Sequence, residues 1–123
     1  LFTGDGGFQM SIQDLGTIME QQQPVKMIML NNNYLGNVRQ WQDMFFGHRR
    51  SFTKMLNPCY ESIAKGYGIP YDVVVDRADL KEKVRKMLDT DGPYLLECAI
   101  KEEADVLPMT PPGKSVNEML LEL

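Results

Sequence analysis

The order of residues predicts an α/β fold, a parallel sheet with flanking helices, and three observations carry that prediction. Short apolar or β-branched runs alternate along the chain with segments whose apolar residues recur at helical spacing. Two of the predicted strands run directly into polar clusters, Gly4-Asp5-Gly6-Gly7 and Asn31-Asn32-Asn33, at the carboxyl ends where open parallel sheets bind ligands. The 123 residues, 43% hydrophobic and 24% charged, suffice for one buried core and leave no room for two full domains.

Leu1-Phe2-Thr3 reads as the end of a strand, and a chain that opens on Leu rather than Met reads as a piece of something longer. The glycine cluster that follows allows a tight turn. Ser11-Ile12-Gln13-Asp14 resembles a capping box, with Asp in place of Glu, and is expected to open a helix. In that helix Ile12, Leu15, Ile18 and Met19 would form one buried stripe, and Gln21 to Pro24 would stop it. Val25 to Leu30 is a nearly continuous apolar run, as a central parallel strand requires. After the asparagine turn, residues 36–46 predict a short helix and 48–58 an irregular, basic connection. Residues 59–67 read as helix, with Gly68 as its C′ residue. The β-branched run 71–75 predicts a strand. A helix over about 78–89 presents Leu80, Val84, Met87 and Leu88 to the core and pairs Asp79 with Lys83 and Glu82 with Lys86 outside. Gly92-Pro93 breaks the chain before a last strand over 94–100. The α/β domain is thus expected over 1–106. The tail 107–123 begins too rich in proline for regular structure and ends in a short helix behind the Ser115–Glu118 capping box.

A net charge of −4 offers no footprint for nucleic acid or an anionic membrane. The longest apolar run, Met27 to Leu30, cannot span a bilayer. Two cysteines, Cys59 and Cys98, make neither a disulfide framework nor a zinc site; they read as small core residues in a reducing, cytosol-like compartment. His48, the single histidine, has nothing in the sequence to orient it and reads as solvated surface. Arg49, Arg50 and Lys54 beside it could contact a phosphate or simply form a charged face. The nine methionines read as gap-fillers in the core.

The chemistry is expected at the two polar strand ends. Asp5 and Asn32 are 27 positions apart, about one loop–helix–strand crossover, which can bring a carboxylate and an amide oxygen side by side. Mg²⁺ wants six oxygens and keeps phosphates or waters among them. Asp5, Asn32 and a backbone carbonyl would supply three, and the amides of Gly6, Gly7 and the following helix start would face the anion. The plainer alternative is a turn and a loop that bind nothing.

Gly4-Asp5-Gly6, followed after 24 residues by Asn31-Asn32, resembles the thiamine-diphosphate-binding motif. Together with Gln13-Asp14-Leu15, Gly36, Val38, Gln40-Trp41-Gln42, Phe45 and Leu107-Pro108-Met109, it is similar to the C-terminal domain of the acetolactate synthase catalytic subunit. The resemblance implies a thiamine-diphosphate-binding domain truncated at its N-terminus. It implies Mg²⁺ held by Asp5, Asn32 and the Tyr34 carbonyl, with Gly4, Gly6, Gly7, Gly36 and Asn37 also contacting the cofactor. Asn37 stands where the family often has an apolar residue, commonly Met. Trp41 and Phe45 would line the substrate channel; Trp41 could instead anchor the short helix in the core. The tail resembles a segment folded over the active site, or is a disordered end. The implied parent reaction decarboxylates pyruvate and joins the remaining unit to a second 2-keto acid, in branched-chain amino acid biosynthesis. FAD would sit in a domain outside this chain, and a glutamate would come from the N-terminal domain of a neighbouring subunit. The parent would be a homo-oligomer with a possible regulatory subunit, in a bacterial cytoplasm or an organelle. No catalytic residue is expected within these residues, so the chain alone is expected to be inactive. A related thiamine-diphosphate 2-keto acid decarboxylase or oxidase, and a non-catalytic α/β interaction domain, are the alternatives.

Overall fold

The alternating segments fold into four parallel strands in the order β1-β2-β4-β3. The structure, a computed structural model, describes residues 1–122; Leu123, which ends the tail, lies outside the described residues. The strands are β1 (Phe2–Gly4), β2 (Lys26–Asn31), β3 (Tyr71–Val74) and β4 (Tyr94–Ala99), and the helices are α1 (Asp5–Met10), α2 (Asp14–Glu20), α3 (Gly36–Phe45), α4 (Tyr60–Gly66) and α5 (Leu80–Asp89). Both faces of the sheet are covered, which is why β2 and β4 read as apolar runs without alternation. Met27, Met29 and Leu95 pack with Phe8, Leu15, Tyr60, Ala64 and Ile69 on one face. Tyr94, Leu96 and Cys98 pack with Val74 and Met87 on the other.

Most predicted elements form within one or two residues of their expected ends, and Gly68 takes a φ of +67° beyond α4 as a C′ residue does. The first helix departs from expectation. The glycine cluster is not a turn: Gly4 is extended and Asp5 opens α1 directly. Gly6 is the enabling residue, because a Cβ there would meet Leu35 Cδ2 at 2.8 Å. Ser11 therefore ends a helix instead of opening one, its N–H donating to the Phe8 carbonyl, and α2 begins at Asp14 without a side-chain cap.

Several side chains predicted to be core are exposed. Met19 on α2, and Leu80 and Leu88 on α5, lie at the open sides of helices whose buried stripes are narrow, carried by Leu15 and by Met87. Met10 and Met119 are exposed too, so only Met27, Met29 and Met87 are fully buried. Cys98 is buried, and burial pushes its thiol pKa up; Cys59 is exposed, where the Ser62 hydroxyl donates to its sulfur at 3.2 Å and lowers its pKa. The Asp79–Lys83 pair forms at 3.8 Å, whereas Lys86 turns from Glu82 to Asp72 on β3 at 2.9 Å. Burial alone would raise the Asp72 carboxyl pKa, and the hydrogen bonds from Lys86 and the Val73 N–H, with the nearby lysine charges, more than offset it. In the tail, Met109 and Leu120 exchange backbone hydrogen bonds of 3.0 and 2.8 Å, and the Ser115–Glu118 capping box closes a single turn of 3₁₀ helix. No helix among the described residues is long and apolar enough to cross a membrane.

Candidate functional site

Sheet order decides where the site lies. Strands β1 and β2 are neighbours, with Gly4 paired to Leu30, so Asp5 and the asparagine run leave adjacent strands at the same level. All eight residues predicted to contact the cofactor, Gly4, Asp5, Gly6, Gly7, Asn32, Tyr34, Gly36 and Asn37, line one cleft of about 580 Å³ at these strand ends.

Asp5 is 1% exposed, yet no described cation pairs with it. Its Oδ2 accepts a hydrogen bond from Asn57 Nδ2 at 2.7 Å, and no described residue donates to Oδ1. A buried carboxylate with one free oxygen is costly unless something charged occupies the cleft. Asn32 Oδ1 accepts from the Tyr34 N–H at 3.2 Å, and Asn31 Oδ1 accepts from the Asn33 N–H at 3.1 Å. These two local bonds curl the loop, and Asn33 takes a φ of +57°, which asparagine tolerates better than most residues. Gly36 lies close under this loop: a Cβ there would stand 3.1 Å from Asn32 Nδ2 and would push that side chain by a few tenths of an ångström.

Two helices begin at this cleft, α1 at Asp5 and α3 at Gly36, and neither has a side-chain cap. Their first-turn N–H groups are therefore available to an anion, with the positive helix ends behind them. Among the described residues no three His, Cys, Asp or Glu side chains converge, so a cation here would rest on one carboxylate and neutral oxygens. That donor set suits a hard ion such as Mg²⁺, with remaining positions filled by phosphate or water.

The sequence reading missed two parts of the site. The connection after α3 is not wholly irregular: Leu35 N–H donates to Thr53 and Met55 N–H to Asn33, both at 2.8 Å, laying residues 53–55 antiparallel to 33–35. That pairing delivers Asn57 beside Asp5. The other missed part is the far wall, Ile100, Lys101 and Ala104 to Val106. Arg39 and Gln40, each 2% exposed, hold it in place. Arg39 donates to Asp105 at 2.6 Å and to the Ala104 carbonyl at 3.0 Å. The Gln40 amide donates to the Val106 carbonyl at 3.1 Å and accepts from its N–H at 2.9 Å. One signal could have found them, two adjacent large polar residues within a short helix.

Trp41 and Phe45 lie outside the cleft. They stack edge-on, ring centroids 6.1 Å apart, and Trp41 is 45% exposed, so it is no core anchor. Two members of the basic cluster are paired: Arg50 with Asp43 and Glu103, each at 2.7 Å, and Lys54 with Glu102 at 3.3 Å, while Arg49 donates to the Phe46 carbonyl at 2.9 Å. Hydrogen bonding to Arg50 holds the Asp43 and Glu103 carboxyls below the usual range. His48 projects into solvent, its Nδ1 3.3 Å from Asp43. Behind the cleft, burial pushes the Tyr60 pKa up to about 12, so its hydroxyl stays protonated beside Asp5.

Residues 1–98 match the C-terminal TPP binding domain of thiamine pyrophosphate enzymes. The chain belongs to that family. It is 42% identical, over 98% of its length, to the acetolactate synthase isozyme 2 large subunit of Escherichia coli K12. It is 41% identical, over 97%, to the chloroplastic acetolactate synthases of Oryza sativa and Arabidopsis thaliana. The chain spans only about a fifth of these relatives, 22%, 20% and 19% of their lengths. Benzoylformate decarboxylase from Polynucleobacter necessarius superposes with a TM-score of 0.78 at 23% identity, over 86% of this chain and 20% of that one. The thiamine diphosphate-dependent 4-hydroxybenzoylformate decarboxylase of Rhodococcus jostii RHA1 gives 0.74 at 24%, over 85% of this chain and 19% of that one. Identities this low speak for the shared fold alone.

Proposed function

We propose that this thiamine pyrophosphate-binding domain holds the cofactor's diphosphate through Mg²⁺ and serves an acetolactate synthase formed by a longer polypeptide. The observation that carries the reading is the free Oδ1 of buried Asp5, sharing one cleft with Asn32, Tyr34 and two uncapped helix starts. Asp5, the Asn32 amide oxygen and the Tyr34 carbonyl would hold the ion. The first-turn amides of α1 and α3 would face the phosphate oxygens. Bound there, thiamine pyrophosphate would supply a thiazolium ring that serves as the electron sink for decarboxylation of a 2-keto acid. The domain's own work is to bind, orient and wall off. Asn37 would add a polar contact, and the exposed Trp41–Phe45 pair would line the substrate channel once the rest of the enzyme covers it. The likeness to acetolactate synthases, at about 40% identity, favours pyruvate and a second 2-keto acid as substrates.

FAD and the glutamate that acts on the aminopyrimidine ring would come from outside these residues, the glutamate from a neighbouring subunit of a homo-oligomer. A bacterial cytoplasm is the proposed location. Thiamine pyrophosphate is titrated calorimetrically into the complete protein with and without Mg²⁺, and again after Asp5→Ala. Mg²⁺-dependent binding lost in the variant is the expected result; binding indifferent to Mg²⁺ and to Asp5 would end this reading. The isolated chain is expected to form no acetolactate from pyruvate, and its detection would overturn that expectation.

A further inference from the structure

Asn57 is gripped from both ends. Gln9 Nε2 donates to its Oδ1 at 2.7 Å, which requires the oxygen on that side. Its Nδ2 then faces three acceptors, Asp5 Oδ2 at 2.7 Å and the Oδ1 atoms of Asn31 and Asn33 at 3.0 Å each. Two amide hydrogens are shared among three oxygens, so the group that collects them must be a donor. The grip is built in: Asp5 and Gln9 sit four residues apart on one face of α1, and Asn57 enters between them from the strand-like segment beside Tyr34. Asn31 is braced in turn, its Nδ2 donating to Glu97 at 2.7 Å, and Glu97 accepts from the Tyr71 hydroxyl at 2.5 Å.

We infer that Asn57, oriented by Gln9, is a positioning residue for the metal: it binds one oxygen of Asp5 and leaves the other turned to the cation. This rests on the reading of Asp5 as a Mg²⁺ ligand. The amide neutralises nothing, so the carboxylate keeps its full charge for the ion, while its rotation is stopped. A lysine or arginine at the same place would pair with Asp5 and compete with the metal. Partners that orient a ligand in this way are typically worth 10- to 100-fold in metal affinity.

The test uses the complete protein, titrated with Mg²⁺ at saturating thiamine pyrophosphate and read by calorimetry. Asn57→Ala is expected to raise the Mg²⁺ Kd roughly 10- to 100-fold. Gln9→Glu is the sharper variant. It removes no atom of Asn57, but the new carboxylate would demand the amide nitrogen and turn the Asn57 oxygen toward Asp5. An added negative charge near the site should by simple Coulomb attraction tighten Mg²⁺; the inferred role requires that it weaken Mg²⁺ instead. If Asn57→Ala fails to fold, the sign for Gln9→Glu decides. A Kd within about twofold of wild type for Asn57→Ala, or tighter binding by Gln9→Glu, overturns the inference, provided Asp5→Ala abolishes Mg²⁺ binding. Unchanged Mg²⁺ binding in Asp5→Ala overturns the underlying site as well, and so separates the two failures.

Discussion

The two walls of the cleft are built on opposite electrostatic plans. On the side of α1, one buried carboxylate is surrounded by neutral amides and keeps an oxygen free. On the side of α3, the wall residue Asp105 is held from behind the cleft by a continuous set of ion pairs that runs through Arg39, Asp43, Arg50 and Glu103. The difference separates binding from scaffolding. A site that must accept a cation cannot answer its own charge, whereas a wall that must stay in place should answer every one. Even there the match is imperfect: Arg39 Nε is buried without a partner among the described residues.

The largest break in this comparison is expected from Arg39→Ala. It removes the Arg39 hydrogen bonds to Asp105, Asp43 and the Ala104 carbonyl, and should cost about 2–3 kcal/mol in urea unfolding, because Asp43 keeps Arg50 and Asp105 is partly solvated. Because the loss lies in the scaffold, it should appear equally with and without Mg²⁺. Gly36→Ala should do the reverse. The added methyl presses on Asn32 Nδ2, and Mg²⁺ affinity should fall roughly tenfold with little change in the metal-free melting temperature. Asp43 sharpens the contrast through pH. Its carboxyl is held low chiefly by the Arg50 hydrogen bond, so its stabilising contribution is complete above its unfolded value, about 4, and is lost as pH falls through the folded value. Unfolding curves of wild type and Asp43→Asn should accordingly differ near neutral pH and converge in strong acid. The smallest effect is expected at Leu88→Gln on α5. That side chain is 60% exposed, and the change should stay within about 0.5 kcal/mol in the same urea experiment.

Legibility differed between the same two walls. Asp5, Asn32, Gly6 and Gly7 were candidates because spacing puts them at two strand ends, whereas Gly4, Tyr34, Gly36 and Asn37 came only from the family resemblance. Asn57 was not, since its meaning depends on an antiparallel pairing between residues 53–55 and 33–35 that no periodicity announces. Arg39 was passed over and Gln40 was named only as part of the family resemblance, because burial of polar side chains is a property of what packs against them. The misplaced start of the first helix has a similar origin. Ser11 has the chemistry of an N-cap, but with α1 packed closely on Leu35 at Gly6 the helix starts at Asp5, behind Gly4.

Sequence alone determined the alternation of strands and helices, the parallel sheet and the two strand ends that carry the diphosphate motif, because hydrophobic period and turn chemistry act over a few residues. Only the tertiary structure decided that β1 and β2 are neighbours, that Asn57 meets Asp5, and that Leu88 faces water while Arg39 does not. Those outcomes depend on which surfaces meet across long stretches of chain, and a side chain's solvent and partners are set only when they do.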